Sequence, residues 1–153
     1  MVSTGTYTAR LTANGMVLNK EFKVLLDPRN SLVSDADVKA QETLALEIRD
    51  FQDEVNQLVN SLDEKRKALK NSLETEKASR RQKRKQDALD KVYYQLVTPP
   101  GTYMQPMLQA QTNYLNSMLG RADQKPGKDA YDRLADLKSQ FEEIRKEAEA
   151  LED

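Results

Sequence analysis

Polar and apolar residues alternate singly at the start of the chain, then give way to a spacing of three and four. Tyr7, Ala9 and Leu11 fall on one side of an extended segment and Thr8, Arg10 and Thr12 on the other, which is the period of a β-strand. Asn14-Gly15 follows; both central positions of a tight type I′ turn need positive φ, and this dipeptide supplies it. The return strand sets Phe22, Val24 and Leu26 against Glu21 and Lys23, and Asp27-Pro28-Arg29 closes it, since proline cannot donate to a ladder. A β-hairpin is therefore expected over residues 1–29. An isolated two-stranded hairpin is marginal in water, so its apolar face needs a cover. Either the helices supply it or further strands precede this segment, and Gly5 opening a strand with no element before it favours the second.

From residue 30 the pattern is helical. Ser34 fits an N-cap, with Asp35 and Asp37 in the first turn, where negative charge suits the helix dipole. Leu44, Ile48, Phe51, Val55, Leu58 and Leu62 then recur at steps of four and three, and Leu69 keeps the register. That is a heptad seam, and a helix from about Asp35 to Leu73 would be ~60 Å long at ~1.5 Å per residue. The apolar signal vanishes between Glu74 and Gln86, so the chain is expected to reverse near Glu74 to Arg80. A second helix carries Leu89, Val92, Tyr93, Leu96 and Val97 and stops at Thr98-Pro99-Pro100-Gly101. A third begins at Pro106 and bears Met107, Leu108, Leu115, Met118 and Leu119, with Gly120 at its end. After the Lys125-Pro126-Gly127 turn, a fourth starts near Asp129 and places Ala130, Leu134, Leu137, Phe141, Ile144, Ala148 and Leu151 on one stripe. Short connections favour antiparallel neighbours. The expected fold is mainly α: an up-and-down antiparallel bundle of about four helices over residues 30–153, one of them a long heptad helix, preceded by the hairpin.

Composition sharpens this and removes whole classes of chemistry. The chain has 153 residues, 32% of them charged and 38% hydrophobic, the balance of long helices that bury one stripe and wet the rest. Cysteine and histidine are absent, which excludes disulfides, thiolate nucleophiles, Cys/His zinc sites and imidazole acid–base catalysis. The net charge of −1 argues against a surface built as a whole for nucleic acid. No apolar run approaches the ~20 residues that span a bilayer, and the first residues lack the basic and apolar regions of a signal peptide.

Four groups of residues remain as candidate chemistry. The basic run containing Lys77, Arg80, Arg81, Lys83, Arg84 and Lys85 has the charge for an anionic ligand, nucleic acid or acidic lipid, through phosphate contacts. Equally, it has the composition of a solvated hairpin tip, without aromatic residues to stack bases and flanked by Glu74, Glu76, Asp87 and Asp90. Glu142, Glu143, Glu147 and Glu149 could pair for glycosidase-type acid–base work, but they lie beside a seam whose apolar positions are already assigned. Asp123, Asp129 and Asp132 surround the Pro-Gly turn without the spacing of a calcium loop, and helix capping explains them better. Tyr93, Tyr94, Tyr103 and Tyr114 gather near the third turn, either as a sugar or peptide platform or as rings packed at a bundle end. No catalytic residue, cofactor or metal site is assigned.

Three phrases in order carry a resemblance: Gly5-Thr6-Tyr7-Thr8-Ala9-Arg10-Leu11-Thr12 with Asn14-Gly15, then Leu26-Asp27-Pro28-Arg29, and after the long helix Arg121-Ala122-Asp123-Gln124-Lys125-Pro126-Gly127-Lys128-Asp129-Ala130-Tyr131. Over nearly the whole chain they resemble the C-terminal region of large secreted bacterial proteins with BNR-repeat, sortilin-like "glycosyl hydrolase" β-propellers, of the kind found in Bacteroidetes. The resemblance implies that the hairpin is the remnant of an Ig-like or FlgD-like sandwich and the bundle a terminal appendage. It implies a periplasmic or extracellular location and, as partners, upstream domains of the same protein. It carries no catalytic residue over, because no propeller repeat is present. The expected role is a non-catalytic structural or protein-interaction module, associating with a partner or itself through helix faces. The alternatives are anion binding by the basic segment and an accessory part of a glycoside-processing enzyme whose active site lies upstream.

Overall fold

A computed structural model describes residues 2–75 and 79–151, with the side chains of Glu74 and Thr75 outside the description. The elements are β1 (Gly5–Ala13), β2 (Met16–Val24), α1 (Asp35–Thr75), α2 (Arg80–Leu96), α3 (Leu108–Leu119) and α4 (Lys128–Glu149). The fold is thus mainly helical, four helices preceded by an antiparallel hairpin, as the periodicity indicates.

The turn works as its residues require: Asn14 has φ 48° and Gly15 φ 76°, the two left-handed positions of a two-residue hairpin loop. Register follows, with Ala13 opposite Met16, Leu11 opposite Leu18 and Tyr7 opposite Phe22. β2 ends at Val24, two residues short of Leu26. At its base, the Ser3 hydroxyl donates to Glu42 and the Thr4 hydroxyl donates to Asp35 at 2.5 Å, tying the hairpin's stem to the start of α1.

Ser34 caps α1 as expected. Its hydroxyl accepts from the Asp37 backbone N–H at 3.2 Å, and the Asp37 carboxylate accepts from the Ser34 backbone N–H at 3.0 Å and from its hydroxyl at 2.6 Å, a reciprocal box that satisfies exposed donors at the helix start. The buried stripe of α1 is Leu44, Ile48, Phe51, Val55, Val59 and Leu62. Val59 replaces the expected Leu58, which is only half-buried. The cause is geometric: a straight helix advances 3.6 residues per turn and drifts off a 3.5-residue seam by ~20° per heptad. In α4 the expected stripe stands, with Leu134, Leu137, Phe141, Ile144 and Ala148 all buried. Phe51 and Phe141 meet edge to face at 5.5 Å between ring centres, joining the two stripes at the centre of the core.

Cross-links between helices fix their directions. Asn56, Gln52 and Gln41 of α1 bond Gln109, Asn113 and the Leu119 carbonyl of α3 in turn, so α3 runs antiparallel to α1. Arg66 of α1 pairs with Asp90 of α2, further along the same rod. α2 and α3 therefore lie end to end, in one direction, against a single long α1. The residues between them contain Pro99, Pro100 and Gly101 and are closed by the Met107 backbone N–H donating to Thr98 Oγ1 at 3.0 Å. They interrupt a helix without reversing it. α4 returns across both, bonding α2 through Gln95–Glu147 and α3 through Arg133–Gln111. Met107 is the N-cap of α3, so Pro106 precedes the helix instead of sitting in its first turn.

Candidate interaction surfaces

The hairpin presents the most conspicuous unpartnered surface. Because directly paired residues share a face, Tyr7, Leu11, Leu18, Phe22 and Val24 lie together on one side. Among the described residues neither strand packs on any helix. Leu11 is 62% exposed, Leu18 66% and Phe22 48%; Tyr7 stacks on Phe22 at 6.0 Å, and that contact is internal to the ribbon. Both strands are also edge strands, each with a row of backbone groups that an added strand could pair. Of the two covers open to this face, the described helices do not supply one. The long α1 leaves the hairpin at Asp35 and directs its stripe toward the other helices.

The basic segment is placed next. Lys77 lies outside the described residues. Arg80, Arg81, Lys83, Arg84 and Lys85 are all exposed on the first turns of α2, and none forms an ion pair with a described residue. Ser79 caps this helix reciprocally with Gln82, which holds the end in shape despite cations at the positive pole of the dipole.

The remaining candidates separate. Tyr93 and Tyr94 touch edge to face at 5.3 Å and both border the guanidinium of Arg66, which lies over the Tyr93 ring at 3.9 Å from its centre and 5.0 Å from that of Tyr94. Tyr103 is fully exposed and Tyr114 faces a groove beside α3; the four rings form no common platform. Glu142 and Glu149 pair with Arg145 within α4, and Glu147 accepts from Gln95 at 2.8 Å. Asp132 pairs with Lys128. Capping by these aspartates is not found: the N-cap of α4 is Gly127, with no side-chain bond to the helix end. Among the described residues no three carboxylates gather as metal ligands would, and no helix is long and apolar enough to cross a membrane.

Two polar side chains missed by the pattern turn out to be anchors, Gln41 buried and Arg66 half-buried. Gln41 is fully buried; its amide donates to the carbonyls of Leu119 (2.5 Å) and Ala122 (2.7 Å), and its oxygen accepts from the Gln124 backbone N–H at 3.1 Å. It thereby holds the α3–α4 turn against α1. Arg66 is 16% exposed and bonds Asp90 at 2.5 Å. Burial works against its charge, while Asp90 and the Tyr94 hydroxyl favour it, and the balance raises its pKa. Each sits three or four residues from a stripe leucine, and a polar residue in stripe register was the available signal. No protein-family model, no curated protein and no solved structure matches this chain.

Proposed function

We propose that this chain is a non-catalytic structural and protein-interaction module, the C-terminal part of a larger secreted protein. In this reading its hairpin is completed by β-strands from the upstream domains of that protein, in an Ig-like sandwich, and the bundle is the appendage that follows. The observation that carries the reading is the uncovered apolar face of the hairpin. Leu11 and Leu18 sit opposite each other and remain mostly in water, although ~25 cal/mol is gained per Å² of apolar surface buried. A sheet packed on that face would bury it, and a strand added to either edge would pair its backbone. The periplasmic or extracellular location and the link to propeller-type proteins rest on the resemblance alone.

The double variant Leu11→Lys/Leu18→Lys tests the reading. In the chain alone it is expected to leave the bundle's Tm unchanged; in the longer polypeptide that includes the upstream domains it is expected to lower Tm and release the hairpin to proteolysis. Equal behaviour in the two settings would contradict the proposal.

Anion binding by the basic segment is a second reading, favoured by five exposed cations at the start of α2 that form no ion pair with a described residue. It requires binding to acidic lipid or nucleic acid that weakens steeply with added salt, and a flat salt response would remove it.

A further inference from the structure

A second surface, formed without any hairpin residue, lies beside α3. α3 reads Leu-Gln-Ala-Gln-Thr-Asn-Tyr-Leu-Asn-Ser-Met-Leu, without one charged residue, in a chain that is 32% charged. Leu108, Thr112 and Leu119 turn inward and are buried. Ala110, Tyr114 and Met118, each four residues from the next, form a second stripe on the outside, and Tyr114 is 62% exposed. A helix apolar on more than one side is ordinarily covered on more than one side.

This outer stripe forms one wall of a half-open groove of ≈ 1030 Å³; the α3–α4 turn and the start of α4 form the other. That is at or beyond the size of small-molecule pockets, ~300–1,000 Å³. Arg121, Lys125 and Arg133 stand around it against a single acid, Asp129. None of the three cations forms an ion pair with a described residue; the Arg133 guanidinium donates to the Gln111 side-chain oxygen. Gln41, bonded to the carbonyls of Leu119 and Ala122 and to the Gln124 N–H, holds the turn that positions Arg121 and Lys125.

We propose that this groove receives an acidic amphipathic helix of a protein partner, its apolar stripe on Ala110, Tyr114 and Met118 and its carboxylates against Arg121, Lys125 and Arg133. The four-residue repeat of the outer stripe matches the ridges by which helices interlock. The cations are spread over the turn and α4, as several carboxylates on one rod require and a single headgroup does not. A second copy of the chain is a poor occupant, since the acid-rich α4 already commits its own apolar stripe to the core.

The test uses labelled synthetic peptides of about 18 residues, long enough to hold a helix. Two share one leucine stripe, with the other positions filled by Glu and Gln or by Lys and Gln; the third has the composition of the Glu peptide in an order that breaks the stripe. Fluorescence anisotropy with the full chain is expected to show the Glu helix binding about tenfold or more tighter than the other two, and weakening with salt. Met118→Glu and, separately, Arg121→Glu are each expected to reduce that affinity about tenfold with unchanged Tm, because both side chains are exposed. Equal binding of the three peptides, binding by none, or insensitivity to both variants would overturn the proposal. So would displacement of the Glu peptide by dodecanoate with the same variant dependence, which would assign the groove to a small anionic amphiphile. A concentration-dependent dimer in sedimentation that Met118→Glu dissolves would likewise overturn it in favour of a second copy.

Discussion

Gln41 shows how much one polar side chain can hold in this bundle. Three backbone groups of the α3–α4 turn depend on its amide, and an unsatisfied buried group costs about 1–3 kcal/mol. Gln41→Leu, which keeps the volume and removes the bonds, is expected to destabilise the chain by about 3 kcal/mol in urea unfolding. A loss too small to resolve would mean that water replaces the amide. Asp37 gives the chain a pH dependence of known sign. Hydrogen bonds from the Ser34 hydroxyl and then the Ser34 backbone lower its pKa below the ordinary 3.8, so folding favours its charged form. The stabilisation is complete above that ordinary value and is lost as pH falls through the lowered one. Asp37→Asn is therefore expected to lower Tm at neutral pH and to match the parent chain once both are acidified below the lowered value. A Tm difference that persists in acid would contradict the capping role.

Among the elements, α1 and α4 carry the core. Phe51 and Phe141 are each buried at the crossing of the two stripes, and a lone carboxylate there would be stranded from water at a cost of several kcal/mol. Phe51→Asp or Phe141→Asp is expected to unfold the bundle, read as loss of the cooperative thermal transition by circular dichroism; unchanged melting in both variants would break the stripe assignment. Element types were legible in the chain because the stripe of α4 and the alternation around Asn14-Gly15 are strong periodic signals. The register of α1 was legible at Leu44, Ile48, Phe51, Val55 and Leu62, all buried, and missed one step after Val55. There, Leu58 and Val59 are both apolar, and the choice between them depends on the helix remaining straight, a property of its packing. The direction of α3 was not legible at all. Pro99-Pro100-Gly101 marks an interruption, but whether the chain then reverses or continues is decided by contacts with α1 such as Gln52–Asn113.

The whole molecule is a three-rod bundle, its middle rod divided into α2 and α3, carrying a ribbon that the bundle does not cover. The basic segment and the hairpin face were both readable as candidates, since each is a local run of one kind of residue. The groove beside α3 was not, because Tyr114, Arg121 and Arg133 come together only through the turn that Gln41 fixes. Under the proposed function, the hairpin's apolar face is covered by a sheet from the upstream domains. Amide hydrogen exchange resolved by residue tests this most directly, applied to residues 5–24 in the chain alone and in the longer polypeptide. Those amides are expected to exchange far faster than the amides of Ile48 and Leu137 in the chain alone, and to slow to comparable protection when the upstream domains are attached. Hairpin amides already as protected as Ile48 in the chain alone, or equally fast in both settings, would contradict the proposal.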